Sequence, residues 1–136
     1  MLFVDTGVWY AALDRGDVNH GGAVRTLRAG QRLVTTDYVL VETWRLAAHR
    51  LGFGVAERFW GSVRRGRARL EAVLPTDREV GWEIGRRYED QRFSLVDRTS
   101  FAVMERLGLR RVAAFDNDFA IYRFGSNSNE AFELVR

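Results

Sequence analysis

Apolar positions along this chain alternate between short continuous runs and stripes at helical spacing. Leu2-Phe3-Val4 is a run that ends on Asp5-Thr6-Gly7, the pattern of a buried strand handing polar groups to a turn. Val8 to Leu13 is a short apolar stretch broken by Asp14-Arg15-Gly16-Asp17, and Asn19 is placed to cap a helix over about residues 20 to 29 with Gly30 as its stop. Arg32 to Thr35 reads as a second strand. Thr36 or Asp37 then caps a long helix from about 38 to 51, and Gly52 ends it. On that helix Leu40, Thr43, Trp44, Ala47 and Leu51 form one stripe, which Val39 and Leu46 widen enough to predict burial on more than one side.

The second half repeats the alternation. Val55, Phe59, Trp60 and Val63 mark an amphipathic helix over residues 53 to 67, and Leu70 to Leu74 a third strand. Asp77 is placed to cap a helix running to about Glu89 on Val80, Ile84 and Tyr88. Ser94 starts another, to about Leu107 with Gly108 as its stop. Arg111 to Phe115 is a fourth strand, Phe119 to Tyr122 one helical turn, and Phe132 to Val135 a fifth strand after a loop at residues 125 to 129. Strands alternating with helices predict an α/β fold, a three-layer sandwich whose mainly parallel central sheet of four to five strands is flanked by helices. The 136 residues suit a single domain, 1–136.

That architecture gives the acids a direction. In a parallel sheet, sites form beyond the carboxyl ends of the strands. Asp5 follows the first strand there, and Asp116 and Asp118 follow the fourth. Glu42 and Asp97 lie in or near the first turns of helices that begin at the same edge. Asp97 also completes the Ser94-x-x-acid pattern of a capping box, and Glu42 can equally be read as a solvated partner of Arg45. Converging carboxylates with no lysine to oppose them repel one another and need a cation. An all-oxygen set suits Mg²⁺ or Mn²⁺, which activate water and stabilise charge on a transferring phosphoryl group.

Composition narrows the rest. There is no cysteine, so disulfides and thiolate metal sites are excluded, and no apolar run is long enough for a membrane span. With no basic leader, a cytoplasmic location is expected. All 21 basic residues are Arg, and the net charge is +3. Arg64, Arg65, Arg67 and Arg69 are candidates for contacts with a nucleic-acid backbone, although such a cluster is more often a solvated helix end. Two other acidic α/β sites fit poorly. A haloacid-dehalogenase-type phosphatase needs an Asp where Gly7 stands, and a phospho-accepting receiver needs a Lys. His20 and His49 are set aside as lone surface histidines.

Four blocks, in this order and spacing, carry a resemblance over essentially the whole chain: Phe3-Val4-Asp5-Thr6, Thr36 to Thr43, Leu95 to Met104, and Phe115-Asp116-Asn117-Asp118-Phe119. The sequence resembles the PIN-domain ribonucleases, in particular the VapC-type toxins of toxin-antitoxin pairs. The resemblance implies that Asp5, Glu42, Asp97 and Asp116 are metal-binding acids, with Asp118 a further ligand or water-positioning group and Thr6 a polar helper. It also implies a PIN-like fold, Mg²⁺- or Mn²⁺-dependent cleavage of RNA to 5′-phosphate products, a homodimer and a cognate antitoxin. Two departures stand out. Gly7 replaces a common Ser, and Arg98, expected to face solvent or touch a phosphate, follows Asp97 where small residues are usual. A PIN-fold binding or RNA-processing protein without a toxin role is the alternative.

Overall fold

In the computed structural model, which describes residues 1–136, the β-branched and aliphatic runs become strands and the spaced stripes become helices. The order is β1 (Leu2–Val4), α1 (Thr6–Leu13), α2 (His20–Leu27), β2 (Leu33–Thr36), α3 (Asp37–Arg50), α4 (Phe53–Arg64), β3 (Arg69–Glu71), α5 (Pro75–Arg87), α6 (Leu95–Leu107), β4 (Arg111–Ala113), α7 (Asp118–Ile121) and β5 (Glu133–Val135). The five strands form one sheet in the order β3-β2-β1-β4-β5, and every pairing is parallel.

Strand order and handedness fix the layers. The chain steps from β1 to β2 to β3 in one direction, then crosses back over β1 to β4 and β5 in the other. Right-handed crossovers therefore put α1 to α4 on one face and α5 to α7 on the opposite face. Packing agrees: α1 lies against α2 and α3, and α3 against α4, whereas α5 packs on α6 and α6 on α7. The direction of winding reverses between β1 and β4, so the sheet has its switch point there, where ligand crevices of such sheets form.

Both faces feed one core of 26 buried residues, with β1 completely covered. On the α6 face the core is aromatic. Phe101 stacks on Tyr122 at 4.6 Å between ring centroids and meets Phe119 edge-on at 4.9 Å. On the other face Trp9 meets Phe59 edge-on at 5.5 Å, and its indole N–H donates to Thr35 Oγ1.

Caps define the helices that matter most for the acids. Thr36 Oγ1 accepts the Val39 N–H at 3.1 Å and so fixes where α3 begins. Thr36→Ala should destabilise the fold by about 1 kcal/mol in urea melts, the usual value of such a cap. Asn19, by contrast, stands at the N-cap of α2 without a side-chain bond. Gly108 closes α6 in the left-handed region with φ +69°, a conformation that glycine adopts without strain.

Several local expectations are refined. Helix α5 begins at Pro75 rather than Asp77, because proline's fixed φ suits a first helical position; Asp77 accepts the Leu74 N–H at 2.8 Å from the first turn. The buried positions of α5 are Asp77, Gly81 and Ile84, and Val80 faces out, since α6 approaches closely over the glycines. Trp60 is 46% exposed, and so is Leu70, whose strand β3 lies at the edge of the sheet. The outer side of α3 also remains open, with Val41 57% exposed. The loop after Phe124 is a pinned turn. Phe124 and Glu130 pair as an antiparallel bridge, Gly125 has φ +87°, and Glu130 is ion-paired to Arg110 at 2.6 Å.

Candidate active site

Each predicted acid arrives at the C-terminal edge by a different local route. Asp5 is the residue between β1 and α1, held by its N–H bond to Ala113 O at 3.1 Å, and only 5% of it is exposed. Asp116 follows β4 across the switch point, and its Oδ1 accepts the Asp118 N–H at 3.0 Å, a turn that folds the second acid back beside the first. Asp97 lies in the first turn of α6, where its N–H donates to Ser94 Oγ at 3.0 Å. Thus Asp97 both belongs to a cap and faces the other acids. Glu42 comes from the second turn of α3 and is partly exposed.

The acids feel one another. Burial, then the charges of Asp97 and Asp116, then Glu42, push Asp5 from an ordinary carboxyl up to about 8, against the pull of the Thr6 N–H. Burial likewise raises Asp97, and Asp118, within hydrogen-bonding reach of its carboxyl, raises it further. Asp116 is raised by burial and by Asp118, although Arg136 opposes. The structure thus brings together Asp5, Glu42, Asp97, Asp116 and Asp118.

Arg136 relieves Asp116 in part, but no ion pair forms here. The protein's four ion pairs, Arg69–Glu71, Arg106–Asp77, Arg110–Glu130 and Arg111–Glu133, all lie elsewhere. No three His, Asp or Glu side chains are drawn tightly enough to enclose an ion, as expected of like charges without a counterion. Donor chemistry supports a hard divalent cation at this place: oxygen ligands around the buried Asp5, carrying excess negative charge. The buried Thr6 Oγ1, next to Asp5, also has no hydrogen-bond partner.

Thr6 and Glu42 also form one end of an open groove of about 810 Å³. Its wall is the outer face of α3, with Tyr38, Val41, Arg45, Leu46 and His49, closed by Val96 of α6. The departures from pattern prove structural. A side chain at Gly7 would meet no atom within 4 Å, so its absence leaves no gap. Arg98 neither faces solvent freely nor approaches the acids. It lies along α5, with Nη1 3.4 Å from Gly81 O and Nε 3.4 Å from Ser94 O, where a side chain at Gly85 would collide with it.

Comparison with known proteins agrees with this arrangement. The model of the PIN domain matches residues 2–125. The chain is 38% identical over 125 residues to the 23S rRNA-specific endonuclease VapC20 of Mycobacterium tuberculosis, in both strain CDC 1551 / Oshkosh and strain H37Rv, covering 91% of this chain and 95% of the relative. The crystal structure of M. tuberculosis VapC20, described as a Sarcin-Ricin loop cleaving toxin, superposes with a TM-score of 0.83 at 36% identity, covering 88% of this chain and 93% of that one. Acids gathered around the buried Asp5 at the switch point of a parallel sheet, and a family match spanning nearly the whole chain, lead to one conclusion: the chain belongs to the PIN-domain family.

Proposed function

We propose that this chain, as one nuclease domain in the cytoplasm, is a metal-dependent endoribonuclease and the toxin of a toxin-antitoxin pair. The observation that carries the reading is the convergence of Asp5, Asp97, Asp116 and Glu42 on one another's field with no ion pair among them. These four would hold Mg²⁺ or Mn²⁺, which when bound lowers the pKa of water and stabilises charge on a phosphoryl group. The chain's own groups do the rest. The groove leads a strand past α3 to the acids; Thr6 Oγ1, buried and unpartnered, is free to donate to a phosphate oxygen. Asp118, beside Asp97, is placed to accept a proton from an attacking water.

Cleavage of 23S rRNA belongs to the relatives, and a ribosomal RNA loop is therefore the first substrate to try here. No helix is long and apolar enough to cross a membrane. An outward apolar face of α3 and α4, with Val41, Trp44, Phe53 and Trp60, offers a surface to a second copy or to an amphipathic antitoxin segment.

The test is incubation of purified protein with a panel of structured RNAs in Mn²⁺, Mg²⁺ or EDTA, beside Asp97→Asn. Cleavage should require metal and fall at least a hundredfold in the variant. Cleavage that survives EDTA, or an Asp97→Asn protein as active as the parent, overturns the reading.

A further inference from the structure

The basic cluster read from the sequence lies away from the acids. Arg69 opens β3 and is level with Val34 of β2, which pairs with Phe3; the acids come after the last residues of these strands. Arg32 precedes β2, and Gly66, at φ +99°, turns the chain from α4 so that Arg67 precedes β3. Together Arg32, Arg67 and Arg69 wall a notch of about 480 Å³ at the N-terminal edge of the sheet, completed by Gln31, Gly66 and Met1 with no carboxylate in its lining.

The guanidiniums are partly held and partly free. Arg67 Nη2 donates to Leu27 O at 2.9 Å, which anchors the side chain and leaves its other N–H groups available. Arg69 Nε meets Glu71 at 2.5 Å, and that carboxylate lies outside the notch. Arg32 is exposed, and its side chain has no hydrogen-bond or ion-pair partner. Neighbouring Gln31 is fixed by Arg111. Several planar forks facing one notch match phosphate oxygens better than any other common anion.

We propose that this notch binds backbone phosphates of the same RNA that is cut at the opposite edge, giving the enzyme a second contact with a folded substrate. The inference rests on the ribonuclease reading. Geometry favours it because the strands are only three or four residues long. At a rise of about 3.3 Å per residue, the two edges are separated by on the order of 10–15 Å. A folded RNA can span that distance along the flank of β3, whose Arg69 and Leu70 are exposed.

The experiment measures RNA affinity against salt for Asp5→Asn, which should bind without cutting, and for the same protein carrying Arg32→Gln and Arg69→Gln. Arg67 is left alone because it also bonds to the main chain of α2. Each lost phosphate contact lowers the slope of log K against log salt by about 0.7–0.9, so a structured RNA should show a slope smaller by about 1.5 and affinity at least tenfold weaker at low salt. A dinucleotide, whose one phosphate cannot lie at the acids and in the notch together, should bind both proteins alike.

Unchanged slope and affinity for structured RNA, in a variant that melts like its parent, would overturn the notch. So would an equal loss for both RNAs. Metal-dependent cleavage by the unaltered protein separates the two claims: cleavage present with an unchanged slope overturns the notch alone, whereas no cleavage and no RNA binding overturns both.

Discussion

Asp5→Asn is expected to stabilise the metal-free protein at pH 8 while lowering metal-dependent RNA cleavage about a thousandfold. The two effects have one origin. Burial and the neighbouring acids raise the Asp5 carboxyl from 3.8 to about 8. Its ionised form is therefore disfavoured in the folded chain. The unfolded chain gives up that proton near pH 4, but the folded chain keeps it until about pH 8. Folding thus binds the extra proton, and the stability of the metal-free protein falls as pH rises through this window. A shift of that size represents about 6 kcal/mol, and about 3 kcal/mol survives once the Asn amide must find partners of its own.

In thermal melts without metal, Asp5→Asn should gain about 10 °C at pH 8 and almost nothing at pH 4. Saturating Mn²⁺ should invert the order, because binding to the native carboxylates stabilises only the parent. The loss of cleavage corresponds to about 4 kcal/mol of charge stabilisation, within what a bound cation supplies. A variant no more stable than the parent at pH 8 would contradict the electrostatic picture.

The second large effect lies away from the site. Asp77 is only 2% exposed, and Arg106 grips both of its oxygens, Nε at 3.0 Å and Nη2 at 2.9 Å. The same carboxylate accepts the Leu74 N–H and so also secures the start of α5. Burial opposes its ionisation, yet Arg106 and the Leu74 N–H hold its carboxyl below the ordinary value. Arg106→Ala leaves that charge buried and unpaired, which should cost about 3 kcal/mol at pH 7. Replacing both residues, as Asp77→Leu with Arg106→Met, should cost less.

Here the pH dependence has the opposite sign to that of Asp5. A lowered carboxyl contributes stability above its unfolded value near pH 4, and this is lost as pH falls through the folded value. Urea melts of Arg106→Ala should therefore approach those of the parent below about pH 3. A gap as wide at pH 3 as at pH 7 would place the effect in packing alone. Because the pair joins α5 to the helix that carries Asp97, its loss should also lower cleavage at temperatures near the melting point.

The parts of the fold legible in the sequence were those fixed locally. Ser94, Gly108 and the apolar run before Asp5 each follow from short-range rules, and the structure uses all three. Strand order is a long-range matter, so the crossing from β3 back to β4 could not be read from any one segment. Helix faces failed where the partner is unusual. Gly81 and Gly85 carry no apolar signal, yet they let α6 and Arg98 come close, which turned Val80 outward. Trp60 lies at core spacing, and the structure leaves it on an open face beside α3.

The site was legible because its chemistry is concentrated in one residue type at strand and helix ends. What the sequence could not show was depth. Asp5 and Glu42 are both acids near an element's start, but Asp5 is enclosed while Glu42 opens onto the groove. Val96 joined the picture only through the groove between α3 and α6. Of the Arg64 to Arg69 run, read as a candidate RNA contact without a location, Arg67 and Arg69 lie at the far edge of the sheet, where Arg32 joins them from the loop before β2.

The central claim is that Asp5, Asp97 and Asp116, with Glu42, hold the divalent cation that cuts RNA. Its most direct test is anomalous diffraction at the manganese edge from crystals of the protein grown or soaked with Mn²⁺ at pH 8. The account predicts a manganese peak among these carboxylates, lost in Asp5→Asn crystals. A peak elsewhere, or none in protein that cleaves RNA under the same Mn²⁺ and pH, would contradict it.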